Sequence, residues 1–262
     1  MCLMTFAYKS HPVYSFILLA NRDEFYARPS LPMHFWNERP DLLAGQDLEQ
    51  GGTWLGINKQ GKFTAVTNYR DGKTAKRDAL SRGALTREYL CSSLPARLYL
   101  EQLQPRQGQF GDYNLLLGDA SGLCYQSNRE GPVRKLTPGV YGLSNALLNT
   151  PWPKLLQVRS LLSEALSQLE PNKEQLFDIM SDPHQAEPSQ LPDTGISEEW
   201  EQLLSSCFIH SSEYGTRATT VLMQKTCGET TIIEKNFGPD GFESEQTFEL
   251  QLPAIGYAGS TG

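Results

Sequence analysis

Short apolar runs separated by turn-forming residues predict β-strands over much of this chain. The runs cover residues 2–8, 14–20, 53–57, 62–69, 113–119, 123–127, 133–136, 140–143, 216–224, 230–236 and 247–252. Where the connections are short, as between residues 113 and 143, neighbouring strands are expected to pair antiparallel. Residues 28–40 contain three prolines and are expected to form a loop.

Helical patterns occupy the stretches between these groups of strands. Pro151 and Pro153 suit the first turn of a helix that continues to about Gln168, because the leucines that follow recur at a helical period. Further helices are predicted over residues 81–92, 95–104, 172–181 and 198–207. Residues 182–196 contain three prolines and are predicted to form a loop or flap. Strands, then helices, then strands again indicate an α+β fold.

The composition is typical of a globular protein. Of the 262 residues, 39% are hydrophobic and 20% charged, and we expect a single domain over residues 1–262. The net charge of −7 argues against nucleic acid and anionic membranes as partners, since both attract basic surfaces. No apolar run reaches the roughly 20 residues of a membrane-spanning helix, and no signal peptide is recognisable. We therefore expect a cytoplasmic protein; the oligomeric state is left open.

The cysteines and histidines show no spacing typical of a metal site. The five cysteines are an odd number without paired spacing, which predicts reduced thiols. The four histidines are scattered through loops and segment ends. The sequence therefore predicts no metal and no cofactor.

Cys2 is the residue whose chemistry stands out. If Met1 is removed, Cys2 carries both a thiol and a free α-amine. A thiol has a pKa of about 8.5 and must ionise to act as a nucleophile. An α-amine titrates near roughly 7.7–8.0, close to the range that suits a general base. One residue would then supply both nucleophile and base.

Arg22 and Asp23 are the charged residues expected beside Cys2. They follow the apolar run 14–20, so a hairpin would return them to the start of the first strand. Arg22 would favour the thiolate, and Asp23 would accept hydrogen bonds from the amine. The alternative is a buried strand cysteine followed by a charged turn.

Several motifs give the chain a resemblance to a known family. They are Met1-Cys2, Asn21-Arg22-Asp23-Glu24-Phe25, Gly51-Gly52-Thr53-Trp54-Leu55-Gly56, Thr67-Asn68-Tyr69, Asn114-Leu115-Leu116-Leu117-Gly118-Asp119, Leu143-Ser144-Asn145 and Thr150-Pro151-Trp152-Pro153-Lys154. As a set they resemble the NRDE-motif family, or transport and Golgi organisation protein two-like proteins. That family is similar in turn to N-terminal-nucleophile cysteine hydrolases of the penicillin V acylase and bile salt hydrolase group. The resemblance implies a four-layer αββα sandwich of two antiparallel sheets.

The resemblance to these hydrolases also implies a catalytic set. Its members here are Cys2, Arg22, Asp23, Asn68, Asn145 and Arg217. One asparagine would donate hydrogen bonds to an oxyanion, and the other would orient the substrate or the amine. Arg217 would support the charge of Cys2 or Asp23; the alternative is a surface arginine at a strand edge.

Four further residues are candidates for substrate binding: Asn21, Glu24, Trp54 and Tyr69. Asn21 and Glu24 complete the family motif, but the hydrolases offer no clear match for them, so their roles stay open. The basic stretch 70–82 is either a solvated loop or a landing site for an anionic substrate group.

Two functions follow from this reading. The first is an N-terminal cysteine hydrolase that cleaves a linear amide through an acyl-thioester on Cys2. The second, implied by the family alone, is a non-catalytic haem or lipid and acyl-coenzyme A binding and trafficking protein on the same fold. The only cofactor in this second reading is haem, for which the sequence offers no Cys-Pro or Cys-x-x-Cys-His motif. A purely structural role has no feature in its favour.

Overall fold

The computed structural model describes residues 2–73 and 79–257. The strands are β1 Cys2–Tyr8, β2 Tyr14–Phe25, β3 Ser30–Trp36, β4 Arg39–Asp47, β5 Leu55–Asn58, β6 Phe63–Asn68, β7 Tyr113–Asp119, β8 Gly122–Ser127, β9 Arg134–Lys135, β10 Gly139–Leu143, β11 Tyr214–Lys225, β12 Glu229–Gly238 and β13 Gly241–Gln251. The α-helices are α1 Arg82–Cys91, α2 Ala96–Leu103, α3 Pro153–Ala165, α4 Lys173–Ile179 and α5 Glu198–Leu203.

The strands form two sheets. The first sheet has the order β10-β1-β2-β11-β12-β13, and the second has the order β3-β4-β5-β6-β7-β8-β9. The pairings within both sheets are antiparallel. In the first sheet, strands from both ends of the chain flank the β1–β2 hairpin. The expected α+β class is therefore confirmed.

Three apolar layers hold the sheets and helices together. Phe16 and Leu18 of the first sheet meet Phe63 and Leu116 of the second in the central layer. A second layer lies between the first sheet and helices α3 and α4, and a third between the second sheet and helices α1 and α2. Alternate residues of each strand point to opposite faces, so both sheets are covered on both sides. The four-layer αββα sandwich implied by the family resemblance is confirmed.

The loop predicted over residues 28–40 is wrong, because this stretch contains β3 and the start of β4. Strand β3 is an edge strand of the second sheet, and its pairing with β4 is irregular at two points. Proline is tolerated at edges and irregularities, where its missing N–H breaks no ladder bond. Met33 and Trp36 are buried, so the strand is also fixed by packing.

Other boundaries differ from prediction in smaller ways. Strand β2 continues through the charged motif to Phe25 instead of ending at residue 20, and β13 begins at Gly241 rather than residue 247. The loop predicted over residues 182–196 is confirmed, apart from one 3-10 turn at Pro188–Gln190.

Candidate functional site

The β1–β2 hairpin places Cys2 beside the charged motif. Cys2 is the first residue of β1 and pairs directly with Arg22 of β2. Asp23 pairs with Thr216 of β11, on the other side of β2. The Cys2 side chain is partly exposed, whereas Arg22 and Asp23 are buried. The charged motif is therefore built into the sheet next to the thiol.

A cleft of about 350 Å³ opens at this point. Its described lining comprises Cys2, Arg22, Asp23, Glu24, Phe25, Arg28, Asp47, Thr53, Trp54, Val66, Asn68, Ser81, Arg82 and Gly83. Both sheets and the start of α1 contribute to the walls. Five of the ten predicted catalytic and substrate-binding residues contact the same space as Cys2: Arg22, Asp23, Glu24, Trp54 and Asn68.

Arg22 is held by three contacts. Its guanidinium lies over the Trp54 ring, with Cζ 4.1 Å from the ring centroid. Nη1 donates to the Ser30 hydroxyl at 3.1 Å, and Nη2 lies 3.6 Å from an Asp47 carboxylate oxygen. Burial lowers the pKa of Arg22, while the nearby Cys2 opposes this shift. Arginine starts above 12, so the side chain stays cationic next to the thiol.

Asp23 is buried on the helical side of the sheet. The Thr216 hydroxyl donates to its carboxylate at 2.8 Å. Burial raises the pKa of Asp23, and the buried Lys154 ammonium opposes the rise. Lys154 itself donates to the carbonyls of Leu204, at 2.7 Å, and Ser206, at 3.3 Å. This pair of buried charges stands directly behind the nucleophile.

The Cys2 thiol is not activated by its surroundings alone. Burial raises its pKa and the Asp23 carboxylate raises it further, whereas Arg22 opposes both effects. A thiol with a raised pKa is mostly protonated near neutral pH. Any nucleophilic role of Cys2 therefore requires a base within reach of the sulfur.

Asn68 and Asn145 are brought together at the ends of β6 and β10. The Asn145 side-chain amide donates to the Asn68 carbonyl at 2.9 Å, so its nitrogen is engaged within the protein. The Ser144 hydroxyl next to it donates to the Cys2 carbonyl at 3.3 Å. Asn68 lines the cleft, while Asn145 is buried and joins the two strand ends beside Cys2.

Arg217 lies outside the described lining of the cleft. It is the extra residue at an irregularity in the β2–β11 pairing. Its Nη1 lies 3.0, 3.2 and 3.1 Å from the carbonyl oxygens of Phe25, Tyr26 and Arg28. Arg217 thus fixes the turn after β2, and through it the two cleft residues Phe25 and Arg28.

Asn21 and Tyr69 also lie outside the described lining of this cleft. The Asn21 amide donates to the carbonyls of Met180, at 2.8 Å, and Cys207, at 2.9 Å, and accepts from Thr219. The Tyr69 ring lies beneath the Arg129 guanidinium, 5.3 Å from its Cζ. Of the basic stretch 70–82, Arg82 lines the cleft, while residues 74–78 lie outside the described part of the chain.

Glycines shape the wall opposite Cys2. A Cβ on Gly45 would lie 2.2 Å from the Trp54 ring, and a Cβ on Gly52 would lie 2.4 Å from the Gly83 backbone. Gly45 therefore makes room for the ring that stacks on Arg22. Gly52 lets the start of α1 approach the cleft.

The sequence reasoning missed several residues of the site. Arg28 and Asp47, joined at 2.6 Å, line the cleft but belong to the stretch after β2, where β3 and β4 were not expected. Lys154 was seen only as part of a motif. A lysine that follows Pro151-Trp152-Pro153 and precedes two leucines, on the apolar side of a helix, was the available signal.

Metal and membrane features were also searched. Among residues 2–73 and 79–257, His, Cys, Asp and Glu do not gather in any group of three that could hold a metal ion. Within the same residues, no helix is long and apolar enough to cross a membrane.

Comparison with known proteins gives consistent matches along the chain. The family described as "Transport and Golgi organisation 2" matches residues 1–239. Among curated relatives, the human "Transport and Golgi organization protein 2 homolog" is 37% identical over 90% of this chain and 93% of its own length. The mouse homolog is 36% identical over the same shares, and the cattle homolog is 35% identical over 96% and 100%.

One solved structure is also similar. It is described as a "Caenorhabditis elegans N-acylethanolamine-hydrolyzing acid amidase (NAAA) ortholog". The sequence identity is 11% and the TM-score is 0.42, with 84% of this chain and 92% of that chain covered.

Proposed function

The chain belongs to the Transport and Golgi organisation 2 family, and from this premise we propose that it is an N-terminal cysteine hydrolase that cleaves a linear amide. The observation that carries the proposal is the direct pairing of Cys2 with Arg22 at a cleft, with buried Asp23 behind it. Removal of Met1 leaves the α-amine of Cys2 as the base.

The reaction begins with proton transfer from the thiol to the α-amine. The sulfur then attacks the amide carbonyl carbon, and the carbonyl oxygen becomes an oxyanion. The Asn68 side chain lines the cleft and carries two N–H donors for such an oxyanion. The C–N bond breaks as the α-ammonium returns its proton to the departing amine, which leaves an acyl-thioester on Cys2.

Water completes the cycle. The α-amine takes a proton from water, and the resulting hydroxide adds to the thioester carbonyl. The C–S bond breaks, the carboxylic acid leaves, and the thiol regains its proton. Asp23 accepts hydrogen bonds from the amine throughout, and Arg22 stabilises the thiolate when it forms.

The raised thiol pKa supports a built-in base. A cysteine that acts as a free thiolate has a depressed pKa, whereas burial raises that of Cys2. A base on the same residue overcomes this by removing the proton during attack, so that no stable thiolate is needed.

The test combines intact mass with a Cys2→Ser variant. We expect the purified active protein to lack Met1, and the variant to lose at least about 100-fold in amide hydrolysis, the usual worth of a nucleophile and base. Cys227→Ser removes an exposed thiol and is the matched control. Retained Met1 in fully active protein, or full activity in Cys2→Ser, would contradict the proposal.

The alternative is a non-catalytic haem or lipid and acyl-coenzyme A binding protein on the same fold. Haem is held by axial ligands such as His, Cys or Met. The described lining of the cleft contains Cys2 but no histidine or methionine. A titration with haemin that gives a shifted Soret band, lost in Cys2→Ser, would favour this alternative. The cytoplasmic location stays a prediction.

A further inference from the structure

Residues 180–207, here called the strap, are held against the site by three polar side chains from elsewhere. Asn21 donates to the carbonyls at both ends of the strap, those of Met180 and Cys207. Lys154 donates to the Leu204 and Ser206 carbonyls. Arg70 forms an ion pair with Glu201, at 3.0 Å. All three side chains are buried.

These contacts fix the strap firmly. Burying a charged or amide side chain is costly unless it is paired, and removing one partner strands the other. Arg70 also stacks on the Trp152 ring at 4.6 Å, and its partner Glu201 accepts from the Thr194 N–H at 2.8 Å. The strap is therefore placed by the same motifs that flank Cys2, rather than by its own secondary structure.

The strap carries Trp200 to the edge of the cleft. Trp200 meets Tyr214 at 5.4 Å and Phe25 at 6.1 Å between ring centroids, and Phe25 meets Tyr214 at 5.0 Å. All three pairs are edge-to-face, the preferred arrangement of aromatic rings. Phe25 lines the cleft two residues after Asp23. The aromatic group is thus continuous with the space around the thiol.

The rings of Phe25 and Trp200 remain open to the outside. Phe25 is 44% exposed and Trp200 is 36% exposed, whereas Tyr214 is buried beneath them. The same edge-to-face contact occurs in the central core between Phe16 and Phe63, at 5.0 Å, but there both rings are fully buried. Rings placed only for packing are buried like this second pair. The exposed pair has room for a further apolar group.

We propose that Phe25 and Trp200 form the subsite for an apolar acyl group, so that the enzyme favours amides of apolar carboxylic acids over small polar ones. This inference rests on the proposed function, because the acyl group is the part of the substrate that stays on Cys2. The apolar group would lie against the exposed ring surfaces while the amide carbonyl reaches the sulfur. Burial of that group supplies the preference.

The test uses one amine, 7-amino-4-methylcoumarin, carrying acetyl, butanoyl, hexanoyl or decanoyl groups. In the wild-type protein, kcat/KM should rise at least about 10-fold from acetyl to decanoyl. In Trp200→Ala and Phe25→Ala this ratio should fall toward one, mainly through a higher KM for the long chains, and Trp200→Phe should keep most of it. Phe242→Ala, which removes a 62% exposed ring outside the described lining of the cleft, is the matched control.

A binding arm separates this inference from the hydrolase proposal. Calorimetry on Cys2→Ser protein with the N-methyl amides of the same acids should show tighter binding with chain length, lost in Cys2→Ser/Trp200→Ala. Chain-dependent binding without turnover in the wild type would retain the subsite and overturn the hydrolysis. Turnover or binding that is equal for all chains, or that keeps its chain dependence in Trp200→Ala, would overturn the subsite.

Discussion

The two halves of strand β2 are both buried, yet they are built in opposite ways. Residues Phe16–Ala20 are apolar and pack between layers of apolar side chains. Residues Asn21–Asp23 are polar or charged, and each has its own partners: strap carbonyls for Asn21, Asp47 and Trp54 for Arg22, Thr216 for Asp23. The first half supplies stability. The second sacrifices apolar contact to hold charges beside Cys2.

The apolar half should give the largest loss of stability. Leu18 is fully buried in the central layer between the sheets. Leu18→Ala removes that contact and leaves a cavity, so the free energy of unfolding should fall by about 3 kcal/mol. Chemical denaturation measures this change. A fall of less than about 1 kcal/mol would show that the central layer is not the main source of stability.

Asn21→Leu tests the polar half with a side chain of similar size. The change strands the buried carbonyls of Met180 and Cys207 and the Thr219 hydroxyl. The free energy of unfolding should fall by about 2 kcal/mol, the usual range for buried polar groups left unpaired. Limited proteolysis should also begin to cut within the strap.

Asn37→Leu is the matched control for Asn21→Leu, because Asn37 is exposed. Its effect should stay within about 0.5 kcal/mol. Equal effects of the two substitutions would remove the distinction between the halves of β2.

Gly45→Ala probes the support of Arg22 from a distance. The new methyl carbon would lie 2.2 Å from the Trp54 ring, so the ring must move from the Arg22 guanidinium. We expect a loss of about 1 kcal/mol in stability, typical of overpacking, together with slower reaction of Cys2. Gly108→Ala, with no neighbouring atom within 4 Å of the new methyl carbon, is the control. Unchanged Cys2 reactivity in Gly45→Ala would separate Trp54 from the site.

The pH dependence of Cys2 alkylation should give the smallest effect. Because burial raises the pKa of the thiol, the rate with iodoacetamide should still be rising above pH 8.5, where a free cysteine is half ionised. Arg22 opposes this rise, so Arg22→Met should move the profile to still higher pH. Mass spectrometry of the N-terminal peptide follows the reaction. A midpoint below pH 8 in the wild type would contradict the electrostatic picture.

The sequence predicted the fold and the centre of the site for the same reason. Apolar runs on either side of a four-residue turn specify the β1–β2 hairpin, and the hairpin alone determines that Cys2 faces Arg22. Family resemblance supplied Asn68 and Asn145. Their meeting through the Asn145 amide depends on distant strands and could not be predicted from local pattern.

The parts that sequence reasoning missed depend on irregular backbone. Prolines concealed β3, so the proximity of Asp47 to Arg22 and Arg28 was not foreseen. An extra residue in the β2–β11 pairing directs Arg217 to three carbonyls, a contact that strand alternation does not predict. Burial of Lys154 depends on the strap, which has little regular structure.

The central claim is that Cys2 carries the acyl group during turnover. The most direct measurement is acid quenching of the Met1-free protein during reaction with a slow acyl amide, followed by peptide mass spectrometry. The account predicts one acyl group on the peptide that begins with Cys2, discharged by hydroxylamine and absent in Cys2→Ser. Turnover that proceeds with the acyl group on another residue, or that continues undiminished in Cys2→Ser, would contradict it.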